Sequence, residues 1–283
     1  MLKADRCKLK AFTMSQGLYL FCLARLSQLP SLPLEGKGLD GQCPLEVAGF
    51  RDLAAVWSPV LVEDFSGPEG NERLQDLAWI GPRIIHHQEV VAGVMRHSPV
   101  LPARFGTIFS SPANLEKLLQ HHHDTISAFL ERVADQKEWA VKGLLNRSGA
   151  KERLFSLKLA REAEQLEALS PGKRYFAEQR LRAACDQELQ RWMQAVCREL
   201  CADLQDFVGE MRERRLLSRE TAGRNQEMVL NWAFLVPEKA AASFQARIRE
   251  ANARNARRGL VFECTGPWPP YSFTPPLDLE PGA

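Results

Sequence analysis

Val100-Leu101-Pro102-Ala103-Arg104-Phe105-Gly106-Thr107-Ile108-Phe109 is the stretch on which the fold turns. Apolar and aromatic side chains dominate it. Ser111-Pro112 follows at once, a hydroxyl residue suited to capping a helix and a proline suited to its first turn. The pattern predicts a strand over Val100 to Phe109 and then a helix, in which Leu115, Leu118, Leu119, Ile126, Phe129 and Val133 keep helical spacing. Glu138 to Leu145 reads as the next strand. Within the opening stretch, Gly106 is expected to permit a backbone bulge, and Arg104 to form an internal ion pair with a helix carboxylate that fixes the strand.

Towards the N-terminus, Asn71 can cap a helix to about Ile80, and Gly81-Pro82 interrupts it before a second helical stretch to about His97. Leu45 to Phe50 and Leu53 to Val60 look like strands, the second ending at Pro59; before them lies a Gly- and Pro-rich loop from Gln28 to Pro44. Gly17 to Ala24 is a short apolar run without breakers, a buried strand. This order approximates the split βαβ pattern of ferredoxin-like domains, with two helices over one face of a mostly antiparallel sheet. The expected α+β domain spans residues 15–147.

Towards the C-terminus, a helix from Ser148 to Leu169 stops at Ser170-Pro171-Gly172, and a longer one runs from Lys173 to about Arg215. Leu181, Cys185, Leu189, Met193, Val196 and Leu200 form one stripe along it, so the two helices should make an antiparallel hairpin. A strand over Met228 to Val236, a helix opened by Pro237 and a strand over Leu260 to Cys264 complete a second α+β domain, residues 148–265. The remainder, 266–283, is a proline-rich tail. Trp268-Pro269-Pro270-Tyr271 should lie extended because consecutive prolines lack donors. Its rings should dock back onto the protein, with presentation to a partner as the alternative.

The 283 residues suit two domains, and 45% hydrophobic with 25% charged residues is the composition of a folded globular chain. Lys plus Arg number 37 and Asp plus Glu 35, a net charge of +2, so the molecule as a whole is not an electrostatic binder of polyanions. No run approaches the roughly 18 apolar residues of a membrane helix, and no secretory signal is evident, so a cytoplasmic protein with no membrane contact is expected. Seven scattered cysteines fit reduced thiols.

Candidate chemistry is sparse. His86, His87, His97 and His121-His122-His123 lack the spacing and partners of a metal site and are read as solvated or locally hydrogen-bonded. Cys185, Cys197 and Cys201 share the apolar stripe of the long helix and are read as core residues. Nucleophile elbows, phosphate loops and dinucleotide fingerprints are absent, which argues against an enzyme. Arg104 to Phe109 superficially resembles an RNA-binding strand motif, but order and spacing differ, so no nucleic-acid partner is expected. An RNA-binding module and a cysteine or histidine enzyme are the alternative classes. Basic residues from Lys239 to Arg258 read as a solvated helix face.

Three sets of residues resemble the GvpL/GvpF family of gas vesicle accessory proteins. The first is Trp79-Ile80-Gly81-Pro82-Arg83 with His87 and Val90, then Val100 to Phe109, where Ala103 replaces the usual leucine. The second is Glu138-Trp139-Ala140-Val141-Lys142. The third pairs Leu230-Asn231-Trp232-Ala233-Phe234-Leu235-Val236 with Thr265-Gly266-Pro267-Trp268-Pro269-Pro270-Tyr271-Ser272-Phe273. The resemblance implies a non-enzymatic minor component without cofactor, needed when gas vesicles nucleate and grow. Its implied partners are the small hydrophobic shell protein GvpA and other accessory proteins. Arg104, Phe105, Gly106, Trp139, Asn231, Trp268, Pro269, Pro270 and Tyr271 are the motif residues that become candidates for partner binding.

Overall fold

A computed structural model describes residues 16–29, 36–216 and 226–277. The basic residues Lys3 to Lys10, part of the Gly- and Pro-rich loop and the end of the tail lie outside the described residues. The protein is an α+β chain of two compact units: one holds the described residues up to Gln136 and those from Trp268 onward, the other Lys137–Pro267.

In the first unit, β1 (Gln16–Arg25), β2 (Glu46–Phe50), β3 (Leu53–Leu61), β4 (Val100–Pro102) and β5 (Ile108–Phe109) share one sheet. Its order is β2-β3-β1-β4, with β5 pairing elsewhere along β1. The pairs of β1 with β3, β4 and β5, and of β2 with β3, are antiparallel. Gly17 to Ala24 and Leu53 to Ser58 are buried without a break, the mark of strands covered on both faces. The register of β1 shifts between Leu20 and Cys22, and Tyr19, Phe21, Cys22 and Ala24 all pack with Val90, Val91 and Val94 of α2 (Leu77–Met95). Such an extra residue keeps neighbours on one face that strict alternation would separate. Arg25 reaches α4 (His123–Arg132), donating to Ser127 O at 2.9 Å and pairing with Glu131.

This differs from the ferredoxin-like expectation in two ways. The uninterrupted apolar runs of β1 and β3 demand cover on two faces, where one covered face was expected. The strand after α4 joins the other sheet. Local boundaries also moved. The 100–109 strand divides into β4 and β5 around a turn in which Thr107 N donates to Arg104 O and Gly106 takes φ +84°. Asp76 accepts from Ala78 N and starts α2 there, so the helix break falls after α1 (Gly67–Arg73) and Pro82 sits inside α2. Ser111 caps α3 (Pro112–His121), and His122 separates α3 from α4. Pro59 lies within β3, beyond the last pairing with β2, where that side of the strand is open.

In the second unit, β6 (Gln136–Leu145), β7 (Glu210–Glu213), β8 (Glu227–Pro237) and β9 (Leu260–Trp268) form a sheet in the order β7-β8-β6-β9. The expected boundary near Arg147 therefore moves back to Gln136, because β6 is an inner strand of this sheet. Val141 and Leu145 share a core with Phe234, Leu260 and Phe262. The tail begins later than expected, since β9 runs on to Trp268.

Over this sheet lie α8 (Ala241–Asn255), through Phe244 and Ile248, and the C-terminal half of α7 (Pro171–Gln205), through Leu189, Met193, Val196, Leu200 and Leu204. The N-terminal half of α7 meets α5 (Arg147–Arg161). The pairs Arg147–Gln190, Lys151–Asp186 and Glu152–Arg182 run in opposite senses, so these two helices are antiparallel. Only Phe155, Leu181 and Cys185 form a buried cluster there. The short α6 (Ala163–Glu167) lies between α5 and α7 in the chain. The long helix ends ten residues before Arg215 because Gly209 N donates to Leu235 O and Met211 enters β7.

Candidate functional site

The motif residues of the first unit converge on His87, which α2 holds 3% exposed. His87 Nε2 faces Ala103 O at 3.2 Å and Tyr271 Oη at 3.1 Å, and because a carbonyl oxygen can only accept, the Ala103 contact places the ring proton on Nε2. Nδ1 then accepts from the Tyr19 hydroxyl, 2.8 Å away, whose oxygen accepts in turn from Gly106 N at 3.3 Å. Phe21 stacks on the imidazole, and Phe105 meets it edge-on. Burial pushes the His87 imidazole down to about 4, against the Ala103 carbonyl, which favours its charged form. Burial likewise raises Tyr19. A neutral histidine thus ties together β1, α2, the β4–β5 turn and the segment after β9.

That segment is anchored. Pro269 and Pro270 are buried, Phe273 is fully buried, and Arg132 Nη2 donates to Phe273 O at 2.9 Å. Tyr271 to Phe273 form a 3₁₀ turn, so the extended run is shorter than expected: hydroxyl and ring contacts within the unit bend it. Trp268 remains 40% exposed.

In the second unit the motif residues also do packing work. Trp139 lies in the core against Phe244. Gly266 takes φ +145°, and a Cβ there would stand 2.9 Å from Glu138 O and 3.0 Å from the Trp139 ring. Glu138 is buried and paired with Arg214. Asn231 Nδ2 donates to Arg215 O at 2.7 Å, while Arg214 N donates to Asn231 O at 2.8 Å, holding the end of β7 against β8.

Other candidates fall outside these clusters. Arg104 is exposed and, among the described residues, makes no ion pair, so the expected internal pair is absent; the turn aims it at solvent. Phe105 is half-buried at the hub and Phe109 is buried, which leaves neither free to stack a base. No group of three or more His, Cys, Asp or Glu side chains among the described residues is placed to hold a metal. Cys185 is buried, and burial pushes the Cys197 thiol up to about 11. Arg254 of the supposed solvated face pairs with Glu199 and Asp203 of α7, and Arg258 stacks on Trp192. Sequence reading placed His87 in the family motif but missed its role as the hub, because its partners Tyr19 and Tyr271 are remote in the chain. It also missed the exposed ring pair Tyr175–Phe176 on α7.

Comparison with known proteins spans both units. The family model described as "Gas vesicle synthesis protein GvpL/GvpF" matches residues 17–275. Gas vesicle protein L of Streptomyces sp. (strain CB03234) is 28% identical over 244 residues, covering 86% of this chain and 87% of the relative. Gas vesicle protein L1 of Halobacterium salinarum is 25% identical over 276 residues, covering 94% and 92%. The crystal structure of GvpF from Anabaena sp. PCC7120 superposes with a TM-score of 0.65 at 18% identity, covering 92% of this chain and 99% of that one. That of GvpF from Microcystis aeruginosa gives 0.62 at 17% identity. A match from the start of β1 to beyond Phe273 spans both units and the returning segment, and by it the chain belongs to the GvpL/GvpF family of gas vesicle proteins.

Proposed function

We propose that this protein assists gas vesicle formation by binding the shell protein GvpA and neighbouring accessory proteins in the cytoplasm, without catalysis. Membership of the GvpL/GvpF family carries the general role. One observation supports the binding mode. Large apolar side chains stay exposed on ordered helices: Leu77 at 83% and Ile85 at 62% on α2, Phe176 at 65% on α7. Such side chains offer contact area to an apolar partner. A shell subunit exposes aggregation-prone segments before assembly, and an adaptor that covers them keeps the subunit soluble at a growing nucleus.

The reading is tested in a gas-vesicle-forming host. Deletion of the gene should abolish or sharply reduce vesicles and buoyancy, and tagged protein from the complemented strain should co-purify with GvpA. Normal vesicle numbers in the deletion strain would sink it.

A further inference from the structure

The two halves of α7 have different environments. The C-terminal half packs on the sheet, while among the described residues the half beginning at Pro171 is covered on one side, by α5 with the Phe155–Leu181–Cys185 cluster and by α6. The opposite side carries Tyr175 (58% exposed) and Phe176 (65%), whose rings meet edge-on at 5.7 Å. Gln179, Ala183 and Gln187 continue from Phe176 at steps of three and four, all exposed, so they prolong one face of the helix. That face leads into an open groove of about 560 Å³, lined by Arg147, Asp186, Gln187, Gln190 and Arg191.

Charge is unequal across this face. Lys173, Arg180 and Arg191 stand seven and eleven residues apart, at roughly whole turns, so they form one basic edge beside Phe176. All three are exposed, and none makes an ion pair among the described residues. The acids nearby are engaged: Glu178 with Arg174, Asp186 with Lys151 and Glu188 with Lys158. The face thus combines an aromatic anchor, a shallow uncharged track and a cationic rim that no ion pair closes among the described residues, with Arg191 near the Glu188 carboxylate.

We propose that the solvent face of α7 between Pro171 and Arg191 docks an amphipathic helix of a partner protein that carries acidic side chains along one edge of its apolar face. The proposal rests on the reading that this protein binds another gas vesicle protein, and it names the surface and the partner's chemistry. An aromatic pair at one end supplies the anchor, the Gln and Ala track allows close approach of a second helix, and the basic edge selects register and orientation.

The test titrates the full-length protein, by fluorescence anisotropy, with three synthetic 20-residue helices. Two share one apolar face but have either a glutamate or a lysine edge; the third scrambles the glutamate sequence. The glutamate-edged helix should bind about tenfold or more tighter than the others, with affinity falling as salt rises. Tyr175→Ser with Phe176→Ser should weaken it by about tenfold or more. Lys173→Glu with Arg180→Glu and Arg191→Glu should reverse the preference towards the lysine edge. Equal affinity for all three helices, or unaltered binding by either variant with native circular dichroism, overturns the proposal. So does a response only to anionic lipid vesicles, or self-association that the ring substitutions abolish without any helix binding. A parallel GvpA pull-down separates the two readings. Loss of GvpA with the ring variant joins them, whereas failure of the unaltered protein to capture GvpA, with helix selectivity intact, defeats the proposed function alone.

Discussion

The rings around His87 and those at the start of α7 are of the same kinds, yet one set is enclosed and the other faces water. Tyr19 and Phe21 are fully buried about the imidazole, with Phe105 and Tyr271 closing over it. Tyr175 and Phe176 are more than half exposed on a helix whose other side is packed. The motif rings of the first unit belong to the first set, and Trp139 of the second unit packs in its own core against Phe244, while Arg104 and Trp268 remain exposed. The second set lies outside every motif, where side chains are free to meet a partner. Most of the motif rings in this chain are packed, whereas the ring pair of α7 is open to solvent.

The difference can be broken from the buried side first. Phe273→Ala removes a ring with no exposed surface and should cost about 3–5 kcal/mol, read as a large drop in the urea midpoint. A loss below about 1 kcal/mol would show that the returning segment is not part of the first unit's core.

Acid should act next. His87 titrates near 4 in the folded chain, below its ordinary 6.5. Between those values the unfolded chain takes up the proton and the folded chain does not. The stability this histidine contributes is thus complete above pH 6.5 and declines as pH falls towards 4, by up to about 3 kcal/mol. Denaturation curves across that range should show the loss, and His87→Gln should flatten this part of the profile. An unchanged slope in the variant would place the acid sensitivity elsewhere.

Tyr271→Phe removes one hydroxyl from the hub and keeps the ring, so about 1 kcal/mol is expected, with the fold intact. At the other extreme, Tyr175→Ser with Phe176→Ser should move the melting point by no more than about 0.5 kcal/mol equivalent, because neither ring is enclosed. Substantial unfolding of that double variant would erase the contrast between the two regions.

Much of the secondary structure was legible because its causes are local. Ser111-Pro112 starts a helix whatever surrounds it, and the apolar run of β1 is a strand on burial grounds alone. The misplaced features had one local cause that was overlooked and one non-local cause. Asp76 outcompeted Gly81-Pro82 as a helix boundary because its carboxylate found Ala78 N. Met211 kept the helical spacing but was claimed by a backbone partner on β8. The candidate site was half visible: Phe105, Gly106 and Tyr271 were named as candidates, while His87, the group that unites them, was read only as a motif residue and a solvated or locally hydrogen-bonded histidine.

The sequence by itself determined the α+β class and the family, since these follow from periodicity, capping chemistry and motif identity. Tertiary structure alone decided that β6 belongs with β8 and β9, that the segment from Trp268 returns to the first unit, and which aromatic residues remain outside. Local propensity is the same whichever sheet a strand joins and whichever side of a helix is covered. Those choices are made by contacts between residues far apart in the chain, as between Tyr19, His87 and Tyr271.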